Sequence, residues 1–149
     1  MTFGEVFDPI VLPSAYAIAV LSVLWLVWHV ARRYPAAPKR VPVGIRIDGR
    51  PRRLGPKAIL WLAPAVIAIT MCAAGALLFV HPPRSDQLYV LALTVLLIAE
   101  LAWFAGWTVD RQIELARKMT YRIAPGRTLR ALAPIIVTVV AMIVFAAHP

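Results

Sequence analysis

Four long stretches almost free of charge decide what this chain can become. Residues 9–31 and 58–80 each run for 23 residues without a Lys, Arg, Asp or Glu; residues 87–109 are interrupted once, by Glu100, and residues 131–148 give a shorter uncharged run of 18. At ~1.5 Å rise per residue a 23-residue helix reaches roughly 34 Å, enough to cross a hydrocarbon core of about 30 Å. In hydrocarbon every backbone N–H and C=O must be satisfied within the segment, so such runs have to be helical. The chain therefore reads as an all-α integral membrane protein, a single domain of four transmembrane helices in an antiparallel bundle. Composition agrees: 61% of the 149 residues are hydrophobic, 15% are charged and the mean hydropathy is +0.76, outside the range of soluble domains. A net charge of +9 would suggest nucleic acid as the partner of a soluble protein. Here the charge is gathered into two segments between apolar runs, which argues for membrane orientation and against a nucleic-acid partner.

Counting those charges fixes the expected orientation. Residues 32–57 hold nine Lys or Arg (Arg32, Arg33, Lys39, Arg40, Arg46, Arg50, Arg52, Arg53 and Lys57), residues 110–130 hold six, and the remaining one is Arg84. By the positive-inside rule both basic segments lie on the cytoplasmic side of a bacterial inner membrane, and both termini lie on the other side. The tryptophans agree, since Trp25, Trp28, Trp61, Trp103 and Trp107 all fall in the expected cytoplasmic halves of their spans, with Tyr16 and Tyr89 toward the outer edge. The N-terminal residues carry two acids and no base, the reverse of a cleavable signal, so the first run is expected to persist as a helix.

Local signals set the expected helix ends. Asp8 and Pro9 read as an N-cap and first helical residue, and Gly55-Pro56 opens the second helix, which Pro64 is expected to kink near its start. His81-Pro82-Pro83 ends it, and Ser85 is positioned to cap the third. Past Val109 helical spacing continues through 110–127 as a helical extension and turn, with Glu114 and Lys118 four apart and Val109, Ile113 and Ala116 on one side. Pro125-Gly126 is expected to stop that helix, Thr128 to cap the last span, and Arg130 to snorkel to the surface.

Each span carries a heptad-spaced seam rich in small residues: Ala15, Ala19, Ser22, Leu26 and His29; Ala65, Ala68, Cys72, Gly75 and Phe79; Ala92, Val95, Ala99, Ala102 and Gly106; Ala131, Pro134, Thr138, Ala141, Phe145 and His148. Small residues let helix backbones approach where lipid offers no hydrophobic drive. The seams of spans two and three are the cleanest and their connection is short. They are expected to form the closest pair, packed through Ala68, Cys72, Gly75, Ala99, Ala102 and Gly106. Cys72 lies within an apolar run, where it reads as a small buried hydrophobe.

Inside the basic segment Val43, Ile45 and Ile47 alternate before Asp48-Gly49, a turn dipeptide, so residues 41–54 read either as a short hairpin or as plain loop. The run Val41-Pro42, then Asp48-Gly49-Arg50-Pro51-Arg52-Arg53-Leu54-Gly55-Pro56-Lys57, followed by Leu62-Ala63-Pro64, resembles the amino-terminal membrane module of SdpI-type immunity proteins. Pro42, Gly49, Pro51, Gly55 and Lys57 match that module's pattern, whereas Gly44, Arg52 and Leu54 stand where it has a histidine, an acid and an aromatic residue. The resemblance implies a bacterial membrane protein of unassigned activity, with its loop on the outer side rather than the cytoplasmic side that the charges indicate.

Glu100 is the sharpest candidate for function, because an ionisable group within a span is costly and normally faces the bundle interior, a water path or a partner. It reads either as a neutral structural group bonded to a neighbour or as a proton or polar contact. His29 lies near the same depth and reads either as an interfacial histidine among Trp25 and Trp28 or as a hydrogen-bond partner of Glu100. The bases Arg32, Arg33, Lys39, Arg40, Arg50, Arg52, Arg53 and Lys57 are candidate contacts for anionic lipid headgroups. Three scattered histidines and one cysteine assemble neither a zinc nor a haem site, and no phosphate loop or nucleophile motif is present, so neither cofactor, metal nor enzymatic activity is expected. Two functions follow: a small accessory or assembly subunit of a larger bacterial membrane complex, with other subunits or a second copy as partner, or a stand-alone SdpI-like protein in immunity, signalling or solute and proton movement.

Overall fold

The computed structural model describes residues 3–45, 51–81, 88–118 and 125–147. In chain order these form α1 (Phe3–Arg33), a 3₁₀ turn (Tyr34–Ala36), β1 (Arg40–Ile45), β2 (Pro51–Pro56), a second 3₁₀ segment (Lys57–Trp61), α2 (Leu62–Val80), α3 (Leu88–Arg117) and α4 (Pro125–Ala147). Among the described residues four helices are long and apolar enough to cross a membrane, which fits an all-α bundle of the multi-pass kind.

Helix boundaries depart from expectation at three proline sites. The first helix begins at Phe3 and passes through Asp8-Pro9, which therefore neither cap nor open it. Pro64 falls in the first turn of α2, where a missing N–H costs no bond, and the chain before it is wound as a 3₁₀ helix whose last bond runs from the Leu62 N–H to the Ile59 carbonyl. Pro125-Gly126 starts α4 rather than stopping α3, because proline's fixed φ suits a first helical position; Thr128 is then inside the helix and caps nothing. α2 ends before His81 as expected, while the proposed cap at Ser85 lies outside the described residues.

The closest pair is α1 with α3, with α4 next on α3, and α2 packs more lightly against both. This corrects the expected pairing of spans two and three. The seams that meet are Ala15, Ala19, Ser22 and Leu26 of α1 and Ala92, Val95, Ala99, Ala102 and Gly106 of α3, all buried. Ala19, Leu26 and Ala102 are 0% exposed at the centre. On α2, Ala65 and Cys72 are exposed, Phe79 is 91% exposed and Ala68 is half-buried, so Cys72 is not a core residue. Both faces combine small residues with β-branched ones, Ala15, Ala19, Val23 and Val30 on α1 against Ala92, Val95, Ile98, Ala99 and Ala102 on α3, whereas α2 buries little of its seam. Gly75 faces α1 as well: the Tyr16 hydroxyl occupies the place a Cβ there would take. Tyr16 is only half-buried and its ring can swing aside, so Gly75→Leu is expected to cost about 1 kcal/mol of stability, measured by reversible unfolding in detergent. A loss three times larger would mean that Tyr16 is held in place.

The segment between α1 and α2 is a hairpin. β1 and β2 pair antiparallel from Arg40 opposite Pro56 to Ile45 opposite Pro51, with irregularities on either side of Gly44. The expected Asp48-Gly49 turn lies outside the described residues. An isolated two-stranded ribbon is marginal in water, and this one is anchored. The Lys57 N–H closes its base on the Lys39 carbonyl at 3.2 Å, and the Gln112 side-chain amide donates to the Pro42 carbonyl at 3.0 Å. Val41 is fully buried with Leu60, Val109 and Ile113 in the core cluster, so the extension of α3 beyond residue 109 is the platform on which the hairpin rests. Arg117 adds a bond to the Ala36 carbonyl at 2.9 Å.

Candidate functional site

Two polar clusters occupy the core helices, one at the hairpin end of α1 and α3 and one between α3 and α4. The first forms because α1 and α3 run parallel, each ending its uncharged stretch at the same level. His29 Nε2 lies 3.1 Å from Asp110 Oδ1, and Arg33 Nε lies 3.2 Å from the same oxygen. A carboxylate only accepts, so Nε2 carries the imidazole proton. His29 is also held by its ring, stacked on Trp25 at 4.9 Å, and Trp25 stacks in turn on Trp103 at 4.2 Å. Three rings and an ion pair thus tie α1 to α3. His29 does not reach Glu100, as its sequence position suggested; Asp110, one residue beyond the apolar run, takes it instead.

Glu100 turns toward α4. Its Oε1 accepts from the Thr138 hydroxyl at 2.7 Å, while Oε2 is buried and has no partner. The carboxyl group borders a cleft of about 380 Å³ whose walls are Trp103, Phe104 and Trp107 on α3 and Ala131, Pro134 and Ile135 on α4. Alanine and proline on the α4 side leave the space that a leucine would fill. The Phe104 and Trp107 rings stack at 5.7 Å, and the Arg111 guanidinium caps Trp107 at 5.7 Å while pairing with Glu114. That pair replaces the expected Glu114–Lys118 contact. A carboxyl group with one satisfied and one bare oxygen, facing an apolar and aromatic hollow, can bind a cation, pass a proton or donate when protonated.

The basic residues between α1 and α2 do not converge on one site among the described residues. Arg32 lies over the exposed Trp28 ring at 5.3 Å and Lys57 over Tyr34 at 4.4 Å, contacts that hold indole and phenol rings at the hairpin end. Lys39, Arg40 and Arg53 are exposed on the connection and the hairpin; Arg52 belongs to β2, and Arg50 lies outside the described residues. Arg33 is committed to Asp110. Among the described residues no three His, Cys, Asp or Glu groups come together as metal ligands.

Asp110 and Thr138 went unrecognised in the sequence. Asp110 had a usable signal, since counting residues along parallel spans puts it level with His29. Thr138 looked like one more small seam residue, and only the helix rotation reveals its hydroxyl as the partner of Glu100. Comparison with protein-family models, curated proteins and solved structures found no match.

Proposed function

We propose that this chain is a non-catalytic accessory or assembly subunit of a larger complex in a bacterial inner membrane. Both basic segments then lie in the cytoplasm and both termini on the opposite side, a placement that the count of nine and six bases against one supports. The observation that carries the reading is on α2. Ala65, Cys72, Ala73 and Ala76 are exposed on α2, small side chains on a face that also presents the large exposed Ile69 and Phe79 to the surroundings. Lipid-facing positions gain nothing from small side chains, whereas a second helix can approach closely over them. Partners are the bilayer and another membrane subunit or a second copy.

Purification in mild detergent tests this. Co-migration with a large complex is expected, and Ala76→Leu is expected to release the chain from it while leaving the isolated protein folded; a parent that runs only as a monomer overturns the reading. Topology is tested separately with reporter fusions after Pro149 and within residues 36–38. The first should report the non-cytoplasmic side and the second the cytoplasm.

A second reading, a stand-alone SdpI-like protein in immunity, signalling or solute and proton movement, is favoured by the bare oxygen of Glu100. The match of the basic loop to that family's pattern supports it, although the family's own histidine, acid and aromatic positions are replaced here.

A further inference from the structure

We infer that the α3–α4 cleft binds a lipophilic organic cation, an alkyl- or arylammonium, with the Glu100 carboxylate as counter-charge and the indoles of Trp103 and Trp107 as walls. This deepens the second reading above by naming a ligand class for Glu100, and it is independent of the helix-docking face on α2.

The first support is charge. Within residues 87–109 Glu100 is the one formally charged side chain, and residues 9–31, 58–80 and 131–148 contain none, so no Lys or Arg in the spanning segments can neutralise it. Thr138 satisfies only Oε1. Oε2 is closed off and has no partner among the described residues, so Glu100 acts on the cleft through its charge rather than through a free oxygen. Glu100 is ten residues, about 15 Å along the helix axis, from Asp110, the nearest charge on α3. The spans themselves hold no Lys or Arg that could serve as its complement.

The second support is the lining, which selects the kind of cation. Trp103 offers an exposed π face, to which cations are attracted more strongly where water is excluded, and Trp107 is a second wall whose ring already carries the Arg111 guanidinium. Trp103 is braced from behind by its stack on Trp25, so it stands in the cleft with its orientation set. A metal ion would require several converging oxygens; the cleft supplies one carboxyl group and otherwise apolar walls. An ammonium whose charge is sheathed in methyl, alkyl or aryl groups meets both halves of this lining. A volume of about 380 Å³ has room for a small molecule of that kind.

The test uses the full-length protein in dodecyl maltoside, labelled with ¹⁵N at tryptophan. The probes are benzyltrimethylammonium and its neutral carbon isostere neopentylbenzene. Indole N–H signals, assigned by single Trp→Phe variants, report occupancy. The expected result is that the ammonium shifts the Trp103 and Trp107 signals saturably, and that the isostere binds at least about tenfold more weakly, as a contribution from both charge and cation–π contact requires. Glu100→Gln should weaken the ammonium by a similar factor with the Trp28 and Trp61 signals unmoved. Equal binding of ammonium and isostere would reduce the cleft to an apolar hollow, and no shift at either indole would remove the site; both outcomes overturn the proposal. If Glu100→Gln does not fold, the two probes on the parent protein decide the matter alone. Because binding is scored without any transport or immunity readout, the site and the wider second reading can fail separately.

Discussion

Gly106→Leu is expected to be the most damaging single substitution in the bundle, lowering stability by about 3 kcal/mol or more, at the upper end of what overpacking costs. A Cβ at this position would lie 2.7 Å from two atoms of the Trp25 ring, well inside van der Waals contact. Whether such a clash is cheap depends on whether the neighbour can move. Trp25 cannot, because its two faces are occupied by Trp103 and His29, and its helix is fixed to α3 by the fully buried Leu26 and Ala102. Relief would require α1 and α3 to separate along their whole seam. The contrast with Gly75, opposite the hydroxyl end of a half-buried Tyr16, is therefore informative: two glycines of similar sequence context should differ severalfold in cost. Unfolding of both variants by dodecyl sulfate titration in mixed micelles measures this, and equal losses would show that α1 and α3 are not locked as described.

Asp110→Ala is expected to cost about 1–2 kcal/mol, because it strands a half-buried imidazole donor and removes a bond between two helices. The two partners of Asp110 should not share that cost equally. His29 is 15% exposed and held by a ring stack, whereas the Arg33 side chain is 56% exposed and its ion pair is screened by water. Double-mutant cycles should accordingly give a coupling of roughly 1 kcal/mol between His29 and Asp110, and no more than a few tenths between Arg33 and Asp110. A larger coupling for Arg33 would mean that the arginine, not the histidine, holds the ends of α1 and α3 together.

The parts of this protein legible in its sequence are those set by single segments. A run of 23 uncharged residues must be helical in hydrocarbon wherever it packs, so the number of spans followed from counting. The continuation of α3 to Arg117 followed from helical spacing, since Val109, Ile113 and Ala116 recur on one face, and they do face the core. The hairpin was half-legible: alternation and a turn dipeptide marked it, but a ribbon of this length has no stability of its own. Gln112 and the buried Val41 supply it, and both contacts join residues about 70 positions apart.

What only the tertiary structure decided is how the helices are rotated and paired. Every span carries small residues at heptad spacing, so periodicity alone could not tell which seam meets which; that choice rests on shape fit between whole faces, and it went to α1 with α3. The same rotation points Glu100 at Thr138 rather than at His29, gives His29 to Asp110, and leaves Cys72 exposed on α2. Sequence located the costly carboxylate because its cost is a property of one residue in an apolar segment. Its partner and its cleft are properties of two helices together, and exist only once both are packed.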